Sequence, residues 1–215
     1  MNYNEKQLRI YEVKCKLLGI EIEVGYDNKN RTVLHKVKNC NKEFSIPDFI
    51  EIIGESCFEG SEITKVNMGD SVEIISQSAF KDCINIKEII LGKNVRYIGD
   101  FAFENCQNLE KVKFNSKLRH ISYRAFAFCN SLKKLSLPHS LVYLDTQSFY
   151  SCDLLEEFDL GKSLKYLKQD TFRRCRNLKK LIVPDSLKIL DLGAFEYYFY
   201  KVWYTKFFIT IFNFM

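Results

Sequence analysis

Five cysteines recur at an even spacing: Cys83, Cys106, Cys129, Cys152 and Cys175, each 23 residues after the one before. Thiols in such a series could pair as disulfides, hold a metal ion or serve as nucleophiles. Neighbouring parallel strands lie about 4.8 Å apart, so adjacent thiols on stacked strands could approach disulfide distance. Five members of one column cannot all pair, however. A tetrahedral metal also needs four convergent ligands, whereas a ladder presents its thiols in a line. Free cysteine is among the most buried residue types, so buried, reduced, structural thiols are the expectation. Cys15, Cys40 and Cys57 stand off this column and receive no role.

Other catalytic material is sparse. The three histidines, His35, His120 and His139, have no motif-spaced nucleophile or carboxylate beside them. No glycine-rich phosphate loop of the GxxxxGK[ST] or GxGxxG type occurs. The expectation is therefore a chain without catalysis, cofactor or metal. Asn30-Arg31-Thr32 is a lone glycosylation sequon.

These residues must be positioned by the elements around them. The chain has 215 residues, 47% hydrophobic and 27% charged, with a net charge of +5. That composition reads as soluble and globular. Both charge signs are plentiful, so nucleic acid is not an expected partner. Residues 1–18 carry charges throughout and lack the apolar run of a secretory signal. Residues 197–215 hold ten aromatics, but Lys201 and Lys206 interrupt them and the clean run 207–215 is far too short for a membrane span. Three readings of this tail stand open: a strand or helix that caps the domain, a truncated membrane anchor, or an aberrant reading-frame end.

The dominant signal is a repeat. Phe58, Phe80, Phe103, Phe126, Phe149, Phe172 and Phe195 are separated by 22 and then five times by 23 residues. Counted from each Phe, offsets 6, 9, 11, 15 and 18 are apolar in all five complete copies, from Ile86, Ile89, Leu91, Val95 and Ile98 to Leu178, Leu181, Val183, Leu187 and Leu190. Leu132-x-x-Leu135-x-Leu137-Pro138 places apolar residues two apart before a turn residue, the pattern of a short strand with one buried face. Gly92, Pro138, Gly161 and Pro184 end these strands. One unit of this size cannot bury its own apolar edge, but stacked units bury one another's, giving a solenoid.

The pattern Ser-Leu-x-x-Leu-x-x-x-Ala-Phe-x-x-Cys-x-x-Leu-x-x-Leu-x-Leu-Pro, clearest in residues 118–138 and 164–184, resembles the BspA-like leucine-rich repeat. The resemblance covers about residues 43–198. It implies a leucine-rich-repeat solenoid of 23-residue repeats, with short parallel strands stacked on one face, and a binding module rather than an enzyme. BspA-like proteins are mostly surface proteins and antigens of bacteria and protist parasites, so the resemblance implies cell-surface adhesion through a protein partner. An intracellular scaffold or regulatory adaptor in the cytoplasm is the alternative. The Ile-Gly pair frequent in the family survives at Ile53-Gly54 and Ile98-Gly99 and is replaced elsewhere, as at Ile121-Ser122 and Leu144-Asp145, so the turns there are expected to differ.

Three regions follow: an N-terminal β-hairpin cap over residues 1–42, repeats over 43–198 and an aromatic-rich tail over 199–215. The alternating residues 20–24, the turn-rich 25–30 and a returning strand at 32–37 carry the hairpin.

Two surfaces are candidates for binding. Offsets 7 and 8 read Lys87, Glu110, Lys133, Glu156, Lys179 and Glu88, Lys111, Lys134, Glu157, Lys180, an alternation that, apart from the Lys111–Lys134 step, neutralises itself across strands. Offsets 16 and 17 contain no acid. They supply Arg96, Tyr97, Arg119, His120, Tyr143, Lys165, Tyr166 and Lys188. Repeat-on-repeat stacking of the rings with solvated cations would account for this stripe. So would a basic–aromatic surface for a protein, a glycan or an anionic partner, because Tyr and Arg anchor interfaces.

Overall fold

A computed structural model describes residues 3–40 and 42–195. The tail at 199–215 lies outside the described residues. Each turn of the chain has three sides. The first carries three-residue strands: β3 (Glu43–Ser45), β5 (Lys65–Asn67), β7 (Glu88–Ile90), β9 (Lys111–Lys113), β11 (Lys134–Ser136), β13 (Glu157–Asp159) and β15 (Lys180–Ile182). They pair in parallel, with Phe44, Val66, Ile89 and Val112 in one register and Leu135, Phe158 and Leu181 in another. The middle residue points inward and its neighbours outward, as the alternation in sequence requires.

The second side also forms strands, which the sequence pattern left as a return segment. They are β4 (Ile52–Ile53), β6 (Ile74–Ile75), β8 (Tyr97–Ile98), β10 (His120–Ile121), β12 (Tyr143–Leu144), β14 (Tyr166–Leu167) and β16 (Ile189–Leu190). Sheet order is interrupted between β9 and β11 on the first side and between β12 and β14 on the second. Turns that replace the Ile-Gly pair keep the same backbone bond. Ser76, Gly99, Ser122 and Asp145 all donate N–H to the apolar carbonyl one turn back, at 2.8–3.0 Å. In this bond those four turns are alike.

The third side holds the Phe and Cys columns. Ser78, Phe101, Arg124, Gln147 and Asp170, two residues before each Phe, have φ between 52° and 58°. Asp82, Asn105, Phe128, Ser151 and Arg174, two residues after, are also left-handed. Alternate amides consequently face the next turn, so Phe80 N–H donates to Ala102 O at 2.7 Å and Phe103 N–H to Ala125 O at 2.8 Å. The rings stack face to face, from Phe58–Phe80 at 4.8 Å to Phe172–Phe195 at 5.8 Å. Phe80, Phe103, Phe126 and Phe149 have no exposure.

The thiol column completes this side. Cys83, Cys106, Cys129, Cys152 and Cys175 each donate S–H to a Phe carbonyl of the preceding turn, at 2.9–3.3 Å. At Phe80, Phe103 and Phe126 the S–H satisfies the second lone pair of a carbonyl that already accepts the Cys N–H of its own turn, and at Phe58 that of a carbonyl that accepts Ser61 N–H. A small residue with a weak donor suits this place, which is why cysteine repeats there. All eight cysteines are buried and free.

The N-terminal end is closed by a hairpin of β1 (Glu21–Tyr26) and β2 (Thr32–Lys38), whose β2 pairs in parallel with β4. Ahead of it stands helix α1 (Tyr3–Leu17), which the sequence reading of residues 1–42 did not anticipate. Its docking signal is a single i, i+4 pair, Tyr11 and Cys15, too short a pattern to stand out. Gly19 ends the helix at φ 71°, with Ile20 N–H reaching back to Cys15 O at 2.9 Å.

Candidate recognition surface

The residues at offset 17 are the first residues of the second-side strands, so register places them in one row. Tyr97 pairs with His120, and His120 with Tyr143. The Tyr97 and His120 rings lie 4.9 Å apart at 37°, and His120 and Tyr143 5.4 Å apart at 29°. Tyr97 is 38% exposed and Tyr143 59%, while His120 between them is half-buried. The Tyr97 hydroxyl accepts a hydrogen bond from Ser122 Oγ at 2.9 Å, which fixes that ring's tip.

Arg96 and Arg119, both exposed, flank the rings one residue earlier. Arg119 N–H donates to Arg96 O at 3.0 Å, which keeps the two guanidinium stems on neighbouring turns. Arg96 also sits 3.8 Å from the carboxylate of Glu73, the residue of the shortened repeat in the same column. Burial lowers the pKa of His120 below its ordinary value, against Asp145 and Asp100, which raise it, and with Lys168, which lowers it further. The imidazole is thus held towards its neutral form, and the cations of the stripe are Arg and Lys.

Five of the eight candidates are therefore brought together: Arg96, Tyr97, Arg119, His120 and Tyr143. Lys165, Tyr166 and Lys188 belong to the pair β14–β16 beyond the sheet break. They are exposed, and Lys188 N–H donates to Lys165 O at 2.8 Å.

On the charge-alternating first side, ion pairs form between the turns of β11, β13 and β15. Lys134 reaches Glu157 at 2.7 Å, Lys180 reaches Glu157 at 4.0 Å, and Lys179 reaches Glu156 at 3.4 Å. These exposed pairs contribute little each. On the same side a groove of about 910 Å³ opens over β5, β7 and β9, with Lys65, Ile90, Lys113, Phe114 and Lys117 among its walls. The sequence reading did not isolate it. Its signals were Ile90 at an outward position and Asn115 where other repeats have Gly or Pro. Asn115 ends the strand instead by accepting N–H bonds from Lys117 and Leu118 at 2.7 and 2.9 Å.

A second unanticipated cluster lies on the third side. Buried Glu104 bridges Lys81 at 3.2 Å and Arg124 at 3.0 Å. The Arg124 guanidinium lies 5.3–5.9 Å from the rings of Phe101, Phe128 and Tyr150. These residues occupy several offsets in different turns, so no single column of the repeat reveals them. Among the described residues, no three His, Cys, Asp or Glu side chains are grouped to hold a metal ion. No helix of the described residues is long and apolar enough to cross a membrane.

Comparison with known proteins places this geometry. The T. pallidum leucine-rich repeat protein TpLRR superposes with a TM-score of 0.76 at 22% identity, over 85% of this chain and 92% of that one. A leucine-rich cell surface protein of Faecalibacterium prausnitzii A2-165 superposes with a TM-score of 0.58 at 20% identity, over 76% of this chain but 38% of that one. The pneumococcal vaccine antigen PcpA gives 0.51 at 22% identity, over 76% of this chain and 54% of that one. The chain thus spans about half or less of the last two proteins, and at these identities the likeness is one of fold. No curated protein matches the chain. The profile of the BspA-type leucine-rich repeat region matches in six copies over residues 15–116 and 73–199. Repeats of this kind generally serve as protein-binding rather than catalytic modules. With the 23-residue turn, the stacked Phe column and the strand ladders all accounted for by that repeat, the chain belongs to the BspA-type leucine-rich repeat family.

Proposed function

We propose that this chain is a non-catalytic recognition module that binds a protein partner through the stripe of Arg96, Tyr97, Arg119, His120 and Tyr143, extended by Lys165, Tyr166 and Lys188. The observation that carries the reading is the row Tyr97–His120–Tyr143. Three rings lie in contact on successive strands, Tyr143 well exposed and Tyr97 partly so, with two arginines beside them. Interface energy concentrates in such rigid aromatic and Arg anchors. A tyrosine offers a large apolar face with one polar tip, and the neighbouring cations attract an acidic partner from a distance. The first side competes poorly for this role because several of its charges already neutralise one another.

In this reading the repeats from residue 43 form the recognition module and residues 1–42 close its end. The module acts at a cell surface, in adhesion. Support comes from relatives of the same fold, one named a cell surface protein and one a vaccine antigen. The test is affinity capture with the immobilised full chain from surface-protein and cytosolic extracts in parallel. The proposal expects a protein captured from the surface extract and released by Tyr143→Ala. Capture from the cytosolic extract alone would overturn the surface assignment. Capture that is indifferent to Tyr143→Ala would overturn the stripe.

A further inference from the structure

Helix α1 is docked by one face only. Tyr11 packs edge-on against Phe44 and Phe49 at 6.2 and 5.9 Å, its hydroxyl donates to Ser45 O at 2.7 Å, and Cys15 is buried. The helix also lies against β1 at the end of the seven-stranded sheet. The opposite face is apolar and open. Ile10 is 56% exposed, Val13 60% and Leu17 82%, and Leu18 just past the helix is 66% exposed. Ile10, Val13 and Leu17 follow the i, i+3, i+7 spacing of a single ridge.

The charges around this ridge are not evenly placed. Lys6 and Lys14 stand one turn before and one turn after Ile10, on the ridge's own side. Arg9 and Lys16 lie along one flank, and all four cations are exposed. Glu5 and Glu12 lie on that same flank, each one turn before Arg9 or Lys16, so the cations that border the ridge itself are Lys6 and Lys14. An aliphatic ridge edged by lysines matches a surface that is apolar below and negatively charged above. Lysine stems lie along such a ridge while their ammonium groups reach outward. The helix has 15 residues, about 22 Å at 1.5 Å per residue, too short to span a bilayer core of about 30 Å but suited to lie in its headgroup plane.

We propose that α1 is a membrane-surface helix that seats this chain on anionic lipid through Ile10, Val13, Leu17 and Leu18, with Lys6 and Lys14 contacting the headgroups. This surface lies at the N-terminal end of the solenoid, on a different element from the stripe, and does not depend on the protein-binding reading.

The test is flotation of the full chain with vesicles of phosphatidylcholine alone and of phosphatidylcholine with about one-third phosphatidylserine. The chain should float with the anionic vesicles, bind the neutral ones weakly, and lose binding as salt rises. Leu17→Glu should cut binding at least about tenfold, and Lys6→Glu with Lys14→Glu similarly, since apolar insertion and charge act together. Leu17 is so exposed that its replacement leaves the fold intact, which circular dichroism verifies. Lys87→Glu with Lys162→Glu makes the same change in net charge away from the helix and should retain binding within about twofold. Absence of binding to anionic vesicles at physiological salt overturns the proposal. So does an equal loss in the distant control, which would make the effect one of net charge. A wild-type dimer in sedimentation that Leu17→Glu dissolves also overturns it, because the ridge would then be an interface between copies.

Discussion

His120 on β10 and Tyr143 on β12 hold their rings 5.4 Å apart at 29°, with the imidazole half-buried and the phenol well exposed. The pair exists because a parallel ladder with constant repeat length brings equivalent offsets side by side. The same relation links His120 to Tyr97, so one histidine is sandwiched between two tyrosines. That placement removes the imidazole from water and lowers its pKa, while Asp145 and Asp100 oppose the change.

A pH dependence follows from the sandwich. The folded chain releases the His120 proton at a lower pH than the unfolded chain, whose histidine titrates near 6.5. Below that value the unfolded state holds the extra proton, so this group's effect on stability is destabilising as pH falls through 6.5 towards the folded pKa. NMR titration should place the His120 midpoint below 6.5, and His120→Phe should lose less stability than wild type between pH 7 and 5. A midpoint at or above 6.5 would contradict the sandwich as a desolvating site. Any contribution of His120 as a cation to an acidic partner should accordingly appear only on the acid side of that value.

The Phe column is the spine of the core. Phe126 lies between Phe103 at 5.0 Å and Phe149 at 5.4 Å and has no exposure. Phe126→Ala should destabilise by about 3–5 kcal/mol in denaturant unfolding. Phe195, already 9% exposed, should cost clearly less. Equal and small shifts for the two variants would show that the stack is not a continuous core.

The thiols should be silent in the native state. Burial pushes the Cys83 thiol up to about 12 and raises Cys106, Cys129 and Cys152 as well. A thiol reagent should therefore label the column only on unfolding, since the thiolate is the reactive form. Fast labelling of the native chain, or masses showing disulfides within the column, would contradict the S–H to carbonyl ladder.

How far the sequence spoke can be read from particular residues. The 23-residue spacing of Phe and Cys was enough to place the core, because every turn repeats one environment and one residue type suits it. The stripe was legible for the same reason, since offsets 16 and 17 become neighbours by register alone. Its interruption after Tyr143 was not, because a lapse in backbone pairing leaves the side-chain pattern intact. Glu104 and Arg124 were also missed. They meet across neighbouring turns from different offsets, on a left-handed stretch where φ is 52° at Arg124, and the repeat has no column that names them.

That cluster is testable in its own right. The Glu104 carboxylate is 9% exposed and is shared by Lys81 and Arg124, which are about one-quarter to one-third exposed. Glu104→Gln should cost about 2–3 kcal/mol, below the range for breaking a fully buried pair because both cations retain some water. Replacing Glu104 and Arg124 together by leucine should recover part of that loss, as judged by unfolding midpoints. A neutral Glu104→Gln would show that the bridge carries no net stability.

The most direct measurement of the central claim compares what immobilised full-length variants capture from a surface-protein extract. Tyr143→Ala and Arg119→Glu should each weaken binding of the captured protein by at least about 1 kcal/mol, roughly fivefold, with the unfolding midpoint little changed. The control, Lys133→Ser with Glu156→Ser on the charge-alternating side, should bind nearly as wild type. If the control abolishes binding while both stripe variants retain it, the first side is the recognition surface, and the Tyr97–His120–Tyr143 row is structural stacking alone.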